Sequence, residues 1–376
     1  MANQYLNTQK TYFYNLDGIR SLACIGVFIC HFYDYMDDIY IINNPIEKWI
    51  REYLFIDLGP IGVNLFFVLS GFLITYFLLL EKKKSNFINL KRFYFNRLLR
   101  IWPVFYFVVI LLFIFIPILI GNFNLNLFEQ HFPLYLFFTN NFDRIYTQFT
   151  GFNSDSLGVL WSIAVEEQFY LVWPIIIMIF KPTKLPFAFL TIIFMSLVFR
   201  WLNINDKDIL SYHTLSLAGD LVIGSCVAYL SIYSESFISL QKKMPRLVIW
   251  AVYIITISLI IEERQIFANP FLRIFERLIF SSCFAFIIAE QNFSQQSIFK
   301  FEQNKILSRF SFITYGFYCY HMLFITIIQK TNLSFKINRL NTVTFYSEII
   351  LTFLLCYGFS LISYYFFERK FLMFKK

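Results

Sequence analysis

Charge is scarce in this chain: Asp, Glu, Lys and Arg make up only 15% of 376 residues, against 58% hydrophobic side chains and a mean hydropathy of +0.59. That excludes an ordinary soluble domain, in which about a quarter of residues are charged. The cysteines Cys24, Cys30, Cys226, Cys283, Cys319 and Cys356 all fall inside apolar runs and form no CxxC pair. They suit small packing residues, neither disulfides nor metal ligands. Repeats, low-complexity linkers and aromatic-basic motifs are missing, so the net charge of +8 does not call for nucleic acid. Also missing are a GxxxxGKS or GxxxxGKT phosphate loop, a GxSxG elbow and an HExxH helix. The N-terminus has no basic cluster ahead of an apolar core and no small-residue cleavage site, so no signal peptide is expected.

What is there is a succession of apolar runs long enough to cross a bilayer as helices. They predict an all-α, polytopic membrane bundle of about ten spans, near 18–36, 59–80, 101–121, 158–180, 185–203, 213–232, 246–261, 271–289, 308–329 and 343–367. Cations concentrate on one side, in Lys82, Lys83, Lys84, Lys91, Arg92, Arg97, Arg100, Lys242, Lys243, Arg369 and Lys370. The positive-inside rule then sets both termini in the cytoplasm of an inner-membrane protein. Residues 85–100 mix Lys91, Arg92, Arg97 and Arg100 with aromatics and leucines, which reads as an amphipathic helix on the cytoplasmic face. Topology marking is the plain reading of those cations, and binding the phosphates of an anionic donor the functional one. Segment 131–140 is apolar but too short to span, so it reads as re-entrant or interfacial.

Within this apolar frame a few polar residues stand out. Arg20 and His31 lie eleven positions apart in the first run. At about 100° and 1.5 Å per residue they share a helical face, roughly 16 Å apart along the axis. Ionisable groups inside spans usually face a cavity or a partner, although Arg20 is near enough to the helix end to snorkel. The fourth span holds Trp161, Ser162, Glu166, Glu167 and Tyr170. Ser162, Glu166 and Tyr170 fall on one face at i, i+4 and i+8, whereas Glu167 points about 100° away. A carboxylate facing an imidazole would hold its tautomer, and pairing with Arg273 or Arg277 is the purely structural alternative. Gly62, Ser70 and Gly71 in the second run permit close helix approach. Tyr315, Tyr318 and His321 follow Ser311 late in the chain, with His321 placed either on a cavity or at an interface. His31, Asp34 and Asp38 share a face, but one imidazole with two loop-end carboxylates is too little for a metal, and none is expected.

Taken in order, these stretches resemble acyltransferase family 3, integral membrane proteins that include O-acetylases of bacterial surface polysaccharides. The matching residues are Leu16, Asp17, Gly18, Ile19 and Arg20 through His31; Gly62 and Val63 through Ser70, Gly71 and Ile74; and Phe93, Arg97, Arg100, Ile101 and Pro103. Leu160 through Glu166, Glu167 and Tyr170, then Ser311 through Tyr315, Tyr318 and His321, and finally Glu368 and Arg369 complete the set. The resemblance covers about 15–370, a single membrane acyltransferase domain in chain 1–376, with no extracytoplasmic hydrolase-like domain expected after it.

The resemblance implies transfer of an acyl group, usually acetyl, from cytoplasmic acyl-CoA to a carbohydrate hydroxyl. The acceptor would be a surface polysaccharide, lipopolysaccharide or its lipid-linked precursor. It makes His31 the essential histidine, Arg20 its arginine partner, Arg97 and Arg100 the basic motif at the membrane face, and Glu166 or Glu167 the acidic group. His31 would act as general base and Arg20, Arg97 and Arg100 would hold the donor. Asp17, Ser70, Trp161, Ser162, Tyr170, Tyr315, Tyr318 and His321 are further cavity candidates. A covalent route through His31, Tyr315 or Tyr318 and a proton-coupled transporter using Arg20, His31 and Glu166 are the rivals.

Overall fold

The computed structural model describes residues 12–34, 44–55, 57–147, 154–334 and 342–375. Every regular element among them is helical. In chain order the main helices are α1 (Tyr14–Asp34), α2 (Leu58–Ser85), α3 (Leu90–Ile110), α4 (Leu125–Leu136), α5 (Asn140–Tyr146) and α6 (Trp161–Ile179). They continue with α7 (Leu185–Leu202), α8 (Thr214–Tyr233), α9 (Arg246–Ile261), α10 (Pro270–Phe293), α11 (Thr314–Ser334) and α12 (Thr342–Ser363).

Eight of these, all but α4, α5, α9 and α10, are long and apolar enough to cross a membrane. Helix α9 with the preceding Glu235–Lys242 helix, bent by 90°, would make a ninth. The expected tenth, α10, has 24 residues but carries Arg273, Glu276, Arg277 and Glu290, which its burial against α8 and α2 makes tolerable. Among the described residues, length and composition therefore give eight or nine spans, and the expected ten are not reached.

Helix α2 is the axis of the bundle, and small residues make it so. A Cβ on Gly62 would stand 2.8 Å from Val27 Cγ2 and 2.9 Å from the Ala23 carbonyl oxygen of α1. On the other flank a Cβ on Gly71 would meet the Leu221 carbonyl oxygen of α8 at 1.8 Å, and one on Gly224 the Val68 carbonyl oxygen at 2.0 Å. Only hydrogen fits at these crossings, the close approach that drives helix association where lipid supplies no hydrophobic force. Helix α2 ends at Asn86, whose left-handed backbone (φ 55°) returns an N–H to the Lys82 carbonyl at 2.9 Å. The Lys82 ammonium then donates to the Ile177, Met178 and Phe180 carbonyls at 2.6, 3.0 and 2.6 Å, capping the C-terminus of α6 with a cation.

Two local expectations change. The basic stretch 85–100 is not a separate surface helix: from Asn89, whose side chain caps the Arg92 N–H at 2.9 Å, α3 runs unbroken through Arg97 and Arg100 into its apolar half. Nothing between Arg100 and Pro103 stops the helix. Segment 131–140 divides between α4 and α5, too short to span, and the buried His131 Nδ1 meets Asp143 Oδ1 at 2.7 Å across the turn.

Candidate active site

Two cavities lie in the bundle, one bounded by α1, α2, α3, α6 and α11 and the other by α1, α2, α5, α6, α7, α10 and α11. The first, about 380 Å³, is lined by Asp17, Arg20, Ser70, Arg97, Arg100, Ser162, Glu166, Tyr170, Tyr315 and Tyr318. The second, about 520 Å³, is lined by His31, Asp34, Asp57, Arg144, Asp155, Trp161, Arg200, Tyr212, Glu263, Arg273, Arg277 and Tyr318. Each has the size of a small-molecule site. Val63 of α2 and Tyr318 of α11 line both, so these two side chains form the wall between a chamber at the Arg20 end of α1 and one at the His31 end. The shared face expected for Arg20 and His31 thus becomes two stations on one helix.

The first chamber is a web of satisfied polar groups. Asp17 accepts from Tyr12 at 2.8 Å and from Ser311 at 2.8 Å, while Arg20 reaches it at 3.4 Å. Glu166 accepts from Ser70 and from Tyr170, both at 2.7 Å. The Arg97 guanidinium lies over the Tyr170 ring, 5.2 Å from its centre, a cation–π contact inside an apolar wall. Tyr315 donates to the Ile101 carbonyl at 2.7 Å. The i, i+4, i+8 face of α6 holds: Ser162, Glu166 and Tyr170 line this chamber, whereas Glu167 accepts from Trp102 at 3.0 Å.

Against expectation, neither glutamate faces His31. Its ring instead meets His321 of α11, with Nδ1 2.9 Å from His321 Nε2, ring centres 5.1 Å apart and planes tilted by 26°. Glu166 lines the other chamber, where its oxygens accept from Ser70 and Tyr170. Tyr318 sits beside this pair, its hydroxyl 2.6 Å from Ser162 Oγ and 2.9 Å from the Val159 carbonyl. Nor do the glutamates pair with Arg273 or Arg277. Arg277 donates to Asp220 at 2.7 Å, and Ser281 to the same carboxylate at 3.0 Å. Asp38 lies outside the described residues, and among those described no three His, Cys, Asp or Glu side chains gather as metal ligands.

Sequence reasoning passed over several residues of the second chamber. Arg200, 3% exposed, donates to the Ile274, Leu210 and Arg273 carbonyls at 2.9, 3.1 and 2.6 Å and so pins α7 to α10. Arg144 of α5 lies 4.5 Å from the centre of the Tyr212 ring, which stands edge-on to Trp161. A charge inside a hydrophobic run was the available signal for Arg200 and Asp220. At the rim, Arg264 donates to Asp57 at 2.9 Å. Burial, then the negative charges of Glu276 and Asp57, push the neighbouring Glu263 carboxyl from 4.5 up to about 8. Because the folded value lies above the unfolded one, the stability this group contributes is whole below about pH 4.5 and is lost as pH rises through about 8. Glu263→Gln, which fixes the neutral form, is expected to flatten the fall in melting temperature over that range in detergent; an unchanged slope would refute the assignment.

Polar chambers this deep in an apolar helical bundle define a multi-pass membrane protein with a polar interior. The chain belongs to acyltransferase family 3: the family's model, described as an acyltransferase domain, matches residues 13–364. Over 238 residues the chain is 31% identical to a Listeria monocytogenes protein named peptidoglycan O-acetyltransferase OatA, covering 58% of this chain and 34% of that one. Over 181 residues it is 31% identical to the Staphylococcus aureus protein named O-acetyltransferase OatA, covering 46% of this chain and 27% of the relative. The match thus spans about a third of the relatives' length or less. No solved structure matches.

Proposed function

We propose that the protein is a membrane O-acetyltransferase that accepts an acyl group from acyl-CoA in the Arg20 chamber and passes it to a carbohydrate hydroxyl in the His31 chamber. The observation that carries this is the single shared wall of Val63 and Tyr318 between a cavity lined by Arg20, Arg97 and Arg100 and one lined by His31. Three guanidiniums suit the phosphates of CoA, and the abundance of cations at that end supports a cytoplasmic side there. The second chamber, with carboxylates, hydroxyls and the Trp161 and Tyr212 rings, suits a sugar.

In the reaction the donor's thioester reaches past Val63 and Tyr318, and His31 Nε2 takes the acceptor's O–H proton as that oxygen bonds the thioester carbon. The C–S bond breaks, and the proton passes to the departing thiolate to give free CoA. Glu166 holds Ser70 and Tyr170 in place beneath Arg97. A surface polysaccharide, lipopolysaccharide or lipid-linked precursor remains the acceptor class, with peptidoglycan added by the name of the Listeria relative.

The test is radiolabelled acetyl-CoA supplied to inside-out membrane vesicles of a deletion strain carrying the gene, which contain the native acceptor. Base-labile label is expected on the envelope glycan, with CoA released in step. Arg97→Ala should raise the KM for acetyl-CoA roughly tenfold or more, the worth of a charge-assisted contact. Label absent from the glycan in vesicles with abundant wild-type protein would overturn the reading.

A further inference from the structure

The orientation of the His31 ring follows from its neighbour. His321 is 1% exposed, and its Nδ1 lies 2.5 Å from the Tyr318 carbonyl oxygen. A carbonyl only accepts, so His321 Nδ1 carries a hydrogen. In a neutral imidazole the other nitrogen is then a bare acceptor, and here that nitrogen is His321 Nε2, 2.9 Å from His31 Nδ1. One hydrogen lies between two nitrogens at that distance, and in the neutral pair it belongs to His31 Nδ1. The lone pair of His31 is thereby forced onto Nε2. The backbone of α11 thus selects the tautomer of a ring on α1 through one intervening histidine.

We infer that His321 is a positioning residue for acyl transfer: it fixes His31 as the Nε2 base and shares the positive charge when that base is protonated. The inference rests on the reading of His31 as general base. Once His31 Nε2 has taken the acceptor proton, the hydrogen between the rings can move to His321 Nε2. The charge then spreads over two stacked imidazoles in a wall where an isolated cation is costly. The task is the one a carboxylate performs in a Ser-His-Asp triad, carried here by a neutral ring, which brings no second full charge into the membrane interior.

The test compares three variants in the vesicle assay with labelled acetyl-CoA, with melting temperature measured alongside. His321→Phe keeps the ring stack but has no acceptor nitrogen. It should lower the maximal rate roughly 10- to 100-fold, as loss of a ring-orienting partner does elsewhere, with the KM for acetyl-CoA unchanged within about twofold. His321→Gln places an amide oxygen near the Nε2 position and should recover most of the lost rate. His321→Leu has no acceptor and should not recover it. If His321→Phe does not fold, the Gln and Leu pair carries the same contrast. Wild-type maximal rate in a folded Phe or Leu variant, or Gln as slow as Leu, overturns the inference. An inactive wild-type protein would instead count against the transferase reading itself.

Discussion

Replacing His31 by alanine is expected to cost about 10²- to 10⁴-fold in acyl transfer, the usual contribution of a positioned general base, while the protein still inserts and folds. The fold should survive because His31 is only partly buried on the chamber wall, and α1 is held to α2 by Ala23, Val27 and Gly62 further along. Alanine leaves the buried His321 Nε2 without its partner, which costs about 1–3 kcal/mol against a total stability of about 5–15 kcal/mol. The measurement is label transfer in vesicles normalised to folded protein in detergent. Transfer within about tenfold of wild type from a well-folded His31→Ala would remove His31 from the chemistry and throw weight onto Tyr318 at the chamber wall.

Much of this site was legible in the sequence because helical geometry is local. The 100° separation of Glu166 and Glu167 follows from adjacency alone, and the structure sends one to Ser70 and Tyr170 and the other to Trp102. The shared face of Arg20 and His31 is likewise a matter of spacing. The partner of His31 was not legible, since the contact with His321 joins residues 290 positions apart. A glutamate there was chemically reasonable, but Glu166 lies in the other chamber, where Ser70, a residue the sequence offered only as a packing or cavity position, donates to it at 2.7 Å. The same limit hid Asp220 as the partner of Arg277, a contact across 57 positions. The basic run 85–100 was misread for another reason. Charge pattern marks which face of a helix meets water or headgroups, yet says nothing of where the helix ends, and α3 continues past Arg100.

The Gly71 crossing carries the largest expected effect on the fold. Inside an exposed helix, glycine to alanine gains about 1 kcal/mol of helix propensity. At Gly71 that gain is overwhelmed, because the new methyl would stand 1.8 Å from the Leu221 carbonyl oxygen, which belongs to backbone and cannot rotate aside. Overpacking of this kind costs about 1–3 kcal/mol and more where the backbone is the obstacle, against a total stability of about 5–15 kcal/mol. Gly71→Ala should therefore lower the melting temperature or abolish recovery of folded protein. Gly358→Ala, with nothing within 4 Å of its added methyl, should be neutral or slightly stabilising. Any Gly71→Ala protein that folds should also transfer slowly. Relief of the clash moves α2 against α8, and α2 carries both Val63 of the dividing wall and Ser70 on Glu166. A displacement of about 1 Å costs on the order of 10²-fold in rate. Equal melting temperatures for the two glycine variants would mean that α2 and α8 do not cross this closely, and the shared wall between the chambers would lose its support.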